Sequence, residues 1–338
     1  MIYDCFSFFN ELDLLEIRLN VLKDAVDRFV LVEAGETHTG RPKPLYFKEN
    51  EARFARFRDR ISYVCIEKFP AVCTTDWARE NWQRNAIAEG LKDAKDDDIV
   101  LISDLDEIPR PEKIVEFAGR PGVTVFDQTY YAFYLNYRNV RQQWWHGTRM
   151  LSYRDFRHAF DGVKVAEDEF LPAAVNEGTT ASKIRCRRLP RSRGGQRIVK
   201  NGGWHFTCLG GAEAVLQKMK SVVPHHNFDP DDPMLTVEHI QALLEKGRGP
   251  ALKMNCFAVE VDGTFPEFLQ KSIPVYRKLV FVVTPQYRRR VLLSRFIRTF
   301  QGMAILLCER VMPSRVRDIL HVARMKFLGT CASGSARG

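Results

Sequence analysis

Two things are scarce in this chain: paired cysteines and hydrophobic runs of membrane length. Eight cysteines are scattered at positions 5, 65, 73, 186, 208, 256, 308 and 331, and none stands in a C-x-x-C pair. That pattern argues against a disulfide framework and for a reducing compartment. Cys5, Cys65 and Cys256 fall within apolar, strand-like runs, where a thiol behaves as a small hydrophobe. The longest apolar run near the C-terminus, Met303 to Cys308, is far short of the ~20 residues a bilayer requires. The first residues already read as a strand, which leaves no room for a signal peptide or anchor, so a cytoplasmic protein is expected. Repeats and low-complexity tracts are also missing. Acid is absent from residues 183–200 and from 277–298, both dense in Lys and Arg, in a chain of net charge +9. Such stripes suit anionic partners: a nucleotide diphosphate, a phosphorylated glycolipid, a membrane surface or nucleic acid. With no zinc-finger or RRM signature, nucleic acid is not expected.

What is present is a globular composition. The 338 residues are 45% hydrophobic and 28% charged, enough for a substantial core. Strands are expected at Ile2–Phe9, Phe29–Glu33, Ile61–Ile66, Ile99–Ser103, Val123–Phe126 and Tyr130–Leu135. Between them, the apolar spacing at 12, 15, 19, 22 and 26 predicts a helix over Leu12–Ala25. Asp76 can cap another helix starting at Trp77, and Pro111 opens a short one to Phe117. Residues 41–47, with two prolines, read as a loop. This alternation implies an α/β fold with a mainly parallel sheet flanked by helices. After residue 136 the pattern becomes irregular and aromatic, with a short strand at Gly202–Thr207 and helices at 212–221, 234–246, 286–300 and 314–327.

The most informative stretch is Ile99-Val-Leu-Ile-Ser-Asp-Leu-Asp-Glu-Ile-Pro109. Four apolar residues make a buried strand, and Asp104 and Asp106 follow with one residue between them. On an extended chain both carboxylates face the same way, just past the strand's C-terminal edge. That edge is where ligands bind in an open α/β sheet. Paired carboxylates there repel unless a cation lies between them, and a hard divalent ion, Mn²⁺ or Mg²⁺, suits carboxylate and phosphate oxygens. A solvated acidic turn is the competing explanation. Glu107 can contact a bound ligand's hydroxyls or close the turn.

Several segments resemble glycosyltransferase family 17 in the same order: I-Y-D-C-F-S-F-F-N-E-L-D-L-L-E-I-R-L, F-V-L-V-E-A, P-K-P-L-Y-F, R-E-N-W-Q-R-N, S-D-L-D-E-I-P-R-P and G-G-W-H-F. They span about residues 1–270, and without a signal-anchor the chain resembles the bacterial members. The resemblance implies a GT-A fold, a divalent metal, a UDP-sugar donor (UDP-GlcNAc in animal members), inversion at the anomeric carbon, and a glycan or glycolipid acceptor. It implies a metal and diphosphate site at Asp104 and Asp106, completed by His205, with Glu107 alongside. Glu33 would lie against the nucleoside, Asn10 at the same sheet edge, and Arg84 and Asn85 on the helix preceding the acidic strand. Each has a plainer alternative: a strand-end acid, a helix cap, a solvated helix face, a structural histidine. Inverting transfer requires one base on the acceptor hydroxyl. Glu213 is the first candidate, although helix capping also explains it, and Glu167 and Asp168 are the second. Trp144, Trp145 and Tyr153 suit sugar faces or a core.

The expected organisation is a catalytic domain over 1–275, with a nucleotide-sugar half at 1–135 and an acceptor half at 136–275, followed by a basic helical extension at 276–338. Between Arg288 and Arg298 arginines alternate with apolar residues, a pattern that suits an anionic membrane surface engaged through 286–327. Two rival functions remain. A haloacid-dehalogenase-like phosphohydrolase also carries D-x-D, but on its first strand with Thr or Val two residues past the second Asp. A non-enzymatic basic membrane- or nucleic-acid-binding protein would explain only the charge.

Overall fold

The computed structural model describes residues 1–161, 196–221, 236–249, 254–285 and 287. The chain divides into two units, 1–282 and 283–338, and the site lies in the first. That unit runs past the expected boundary at 275 because Tyr276 and Leu279 are buried in its main core.

Among the described residues, ten strands form one mixed sheet flanked by helices. The first half supplies a parallel set: β1 (Ile2–Phe8), β2 (Arg28–Ala34), β3 (Ile61–Ile66) and β4 (Ile99–Asp104), in the order β3-β2-β1-β4. Alternate residues pack on opposite faces. Phe6, Phe8, Phe29, Leu31 and Leu101 join α1 (Leu12–Leu22) on one side. Cys5, Val30, Val32, Val100 and Ile102 join the 3-10 helix Ala86–Leu91 on the other. Burial on both faces explains why these strands read as continuous apolar runs. Cys65 differs from expectation: it is exposed, because β3 is the edge of the sheet.

Three features of the first half depart from the expected elements. α1 stops at Leu22. The loop over 41–47 leads into a short helix, α2 (Tyr46–Glu49), and a 3-10 helix over Glu51–Arg60. α3 spans Asp76–Asn85, and its cap is Thr75, not Asp76. Thr75 keeps extended dihedrals and its side chain accepts from the Ala78 N–H at 3.1 Å.

The second half is more regular than its sequence suggests. After β5 (Glu107–Pro109) and α4 (Pro111–Phe117), the two expected strands over 123–135 are one, β6 (Val123–Ala132). The polar triplet Asp127-Gln128-Thr129 reads as a break, yet all three are buried within the strand. Lys200 donates to Asp127 Oδ2 at 2.7 Å and the Gln128 amide nitrogen to Thr148 at 3.1 Å, so each side chain has one partner, while Asp127 Oδ1 and Gln128 Oε1 are buried without a hydrogen bond. β7 (Tyr137–Asn139), β8 (Trp144–Ser152) and α5 (Tyr153–Asp161) occupy the stretch that looked irregular. β9 (Gln196–Thr207) is twice the length of the expected strand and runs parallel to β6. α6 (Gly211–Ser221), α7 (Val237–Glu245), β10 (Cys256–Ala258) and α8 (Glu267–Ser272) complete the described elements. Among the described residues no helix is long and apolar enough to cross a membrane.

Candidate functional site

The D-x-D turn is shaped from beneath by a charge pair buried in the core. Arg18, on α1, and Asp4, on β1, are both fully buried and joined by a fork of 2.6 and 2.7 Å. The same guanidinium donates to the backbone oxygens of Asp104, Leu105 and Glu107 at 3.0, 3.0 and 2.9 Å, and to the Ser103 hydroxyl at 2.6 Å. Three carbonyls that converge on one nitrogen would repel each other and lie orphaned without it. From above, Glu107 closes the turn. It is fully buried and accepts from the Asp104 N–H at 3.1 Å and the Trp145 indole at 2.5 Å.

Pairing of β5 with β9 then brings the two motifs together. Glu107 faces His205, Ile108 faces Trp204 and Pro109 faces Gly203, while the Phe206 N–H donates to the Asp106 carbonyl at 2.7 Å. Gly203, at φ +149°, is required here: a Cβ would lie 2.2 Å from the Ile108 oxygen. His205 is thereby set beside Asp106, Nε2 to Oδ1 3.4 Å, and packs against Tyr130 and Trp145 with ring centroids 4.7 and 4.9 Å away. From α6, Lys218 reaches Asp106 Oδ2 at 3.4 Å and Glu11 at 3.3 Å. Burial alone would raise the Asp106 carboxyl, but the Lys218 ammonium and the His205 imidazole outweigh it and hold the group well below the usual carboxylate range.

This corner fits a divalent ion. Asp106 Oδ1 is buried without a hydrogen-bond partner, and a ring nitrogen stands 3.4 Å from it. Adjacent ligands on a six-coordinate ion with bonds near 2.1 Å are roughly 3 Å apart. Carboxylate plus imidazole is a donor set that Mn²⁺ accepts. Asp104 is placed differently. Arg84 holds it at 2.6 Å and is itself gripped by Glu80 at 2.7 Å, while the Asp104 side chain keeps 37% exposure. Burial would lower the Arg84 pKa, but those two carboxylates raise it instead. Among the described residues no three His, Cys, Asp or Glu side chains converge closely enough to enclose a metal.

The remaining candidates are spread more widely. Asn10 lies at the same edge, its amide 3.4 Å from Gln217 on α6. Asn85 is fully buried at the end of α3. Glu33 is also fully buried, and its carboxylate accepts from the Phe47 N–H, the Tyr63 hydroxyl and Lys43 at 3.1, 2.9 and 3.5 Å. Glu213 is exposed on the first turn of α6, about one helical turn from Gln217. Glu167 and Asp168 lie outside the described residues. Trp144 is 41% exposed and Trp145 packs on His205. Tyr153 cannot join them: its N–H bonds the Asp98 carbonyl at the opposite end of β4, and its ring packs on Phe156. Arg18, Asp4 and Lys218 were not singled out from the sequence. An arginine set between apolar residues Ile17 and Leu19, and an Asp inside an apolar strand, were the available signals for the first two.

A mixed α/β sheet that gathers two aspartates, an imidazole and a lysine at strand ends belongs to the class that binds charged ligands at that edge. Residues 1–168 match the model of glycosyltransferase family 17. The human β-1,4-mannosyl-glycoprotein 4-β-N-acetylglucosaminyltransferase is 33% identical over 113 residues, which is 31% of this chain and 21% of the relative. The enzymes of the same name from Rattus norvegicus and Mus musculus are 33% and 32% identical over the same shares. The chain thus spans about a fifth of the length of these relatives. Among solved structures, the mannosyltransferase PcManGT from Pyrobaculum calidifontis, in complex with GDP-Man and Mn²⁺, aligns with TM-score 0.37 and 10% identity over 89% of this chain and 83% of that one, a likeness too slight to bear on fold or ligand.

Proposed function

We propose that the protein is an inverting, metal-dependent glycosyltransferase with a GT-A-like catalytic domain that moves N-acetylglucosamine from a UDP-sugar to a hydroxyl of a glycan or glycolipid. The observation that carries this reading is the buried, unpartnered Asp106 Oδ1 facing the His205 imidazole at the end of a D-x-D strand. The match of residues 1–168 to the family 17 model and the activity named for the curated relatives support the donor sugar. Asp106 and His205 would hold Mn²⁺ or Mg²⁺, with Asp104 on the same turn. When bound, the ion supplies Lewis-acid neutralisation of the UDP leaving group. Arg84 orients Asp104 through a charge-assisted contact, and the Arg18 clasp fixes the backbone between the two aspartates.

Glu213 is the proposed base for the acceptor hydroxyl, supported by its exposure on the helix that carries Lys218, with Glu167 and Asp168 as the second candidates. A cytoplasmic setting, with the basic segment 286–327 against an anionic membrane face, rests on the sequence alone, since the expected helices fall almost wholly outside the described residues.

Calorimetric titration of UDP with and without Mn²⁺ tests the assignment. Wild type is expected to bind UDP only with the metal. Asp106→Ala should fold, by circular dichroism, and lose that metal-dependent binding. Unchanged UDP affinity in Asp106→Ala removes Asp106 from the site and with it this reading.

A further inference from the structure

Lys218 occupies one side of the buried Asp106 carboxylate in the proposed metal site. Its ammonium bridges Asp106 Oδ2 and Glu11 Oε1 at 3.4 and 3.3 Å, and its side chain is 24% exposed. It therefore lies at the border between the buried corner and solvent. The helix that carries it leaves β9 through a turn of three positive-φ residues: Cys208 at +54°, Gly210 at +111° and Gly211 at +78°. His205 and Lys218 thus reach one carboxylate from the strand and the helix of a single strand-turn-helix unit.

A divalent ion on Asp106 Oδ1 cannot share that carboxylate with an ammonium on Oδ2 without strong repulsion, since two like charges a few ångströms apart in a half-buried site are poorly screened. Glu11 alone does not offset the added charge. The diphosphate of a nucleotide donor brings the missing negative charge, and a lysine ammonium is a flexible point charge able to follow it.

We infer that Lys218 is an exchangeable cation: it neutralises Asp106 before the metal arrives and pairs with the donor's diphosphate afterwards. This rests on the metal-dependent reading above and adds a residue and a charge exchange to it. A purely structural lysine makes a different prediction, because its removal would leave both ligand affinities unchanged.

Two titrations on the full chain separate the cases: Mn²⁺ alone, and UDP in the presence of Mn²⁺, each with wild type, Lys218→Met and Lys218→Arg. Lys218→Met is expected to bind Mn²⁺ several-fold more tightly, since a competing cation is gone, and UDP about 10–100-fold more weakly, the worth of one charge-assisted contact. Lys218→Arg keeps the charge and should retain most of the UDP affinity. UDP affinity unchanged in Lys218→Met overturns the inference. Weaker or unchanged Mn²⁺ binding in that variant also overturns it, by showing that the lysine supports Asp106 and does not compete for it. Wild type that binds Mn²⁺ but no UDP, or neither, defeats the parent reading and this one together. Thermal melts of both variants establish that the protein measured is folded.

Discussion

Arg18 uses every N–H it has inside the protein, on Asp4, Ser103 and three turn carbonyls. Removing one partner of such a pair leaves a buried charge uncompensated, so Arg18→Met should destabilise the fold by about 3–5 kcal/mol. Replacing both, Arg18→Met with Asp4→Leu, removes the unpaired charge but leaves the turn carbonyls without a donor. The double variant should therefore recover only part of the loss, since each orphaned buried group costs about 1–3 kcal/mol. Denaturant midpoints with unchanged m-values decide this. A double variant as stable as wild type would show that the carbonyls are satisfied without Arg18. The same residues show where sequence reading stops. Asp104 and Asp106 are legible because alternation and the strand edge constrain them locally. Arg18 is not, because its partners come from two separate segments, β1 and residues 103–107, and only the fold reveals that it faces Asp4.

The pairing of β5 with β9 decides the site at the level of elements. β5, with three residues and a proline, would not attract notice alone, and of β9 only Gly202–Thr207 is legible as a strand. β4 ends at Asp104, before the proline, and Pro109 is itself a rung of the extra antiparallel ladder, which depends on a partner about a hundred positions away. Gly203→Ala is expected to cost about 3 kcal/mol, because the new Cβ meets the Ile108 carbonyl at a φ that L-residues rarely adopt. Metal-dependent UDP affinity should fall with it, as His205 shifts away from Asp106. Thermal melts together with UDP titration check both; a shift in melting temperature with intact binding would mean that His205 does not depend on this ladder. β6 teaches a related lesson. Its buried Asp127 and Gln128 imitate a loop in sequence because their partners, Lys200 and Thr148, belong to other strands.

Over the whole molecule, the parallel half was readable from apolar runs on strands buried on both faces, whereas β7, β8 and the full length of β9 were not, because they mix aromatic, basic and polar side chains and present no continuous apolar face. The excess of positive charge has its own consequence. The stretch 277–298 has no acid, and a chain of net charge +9 should bind anionic vesicles at low salt. Co-sedimentation of the full chain and of a version lacking 286–338 measures this. Binding by the full chain alone assigns the surface to the tail, while equal binding by both, or by neither, removes the membrane role.

The ladder between Glu107 and His205 also dictates an order of events as the chain folds. The two aspartates leave the ribosome early and their parallel sheet can form from nearby sequence. His205 and Lys218 arrive much later, and closing so large a loop is entropically costly and slow. Until β9 docks along β6, the turn has Arg18 beneath it but no imidazole or ammonium beside it. The proposed metal-dependent UDP binding should therefore appear during refolding only once β9 has docked along β6.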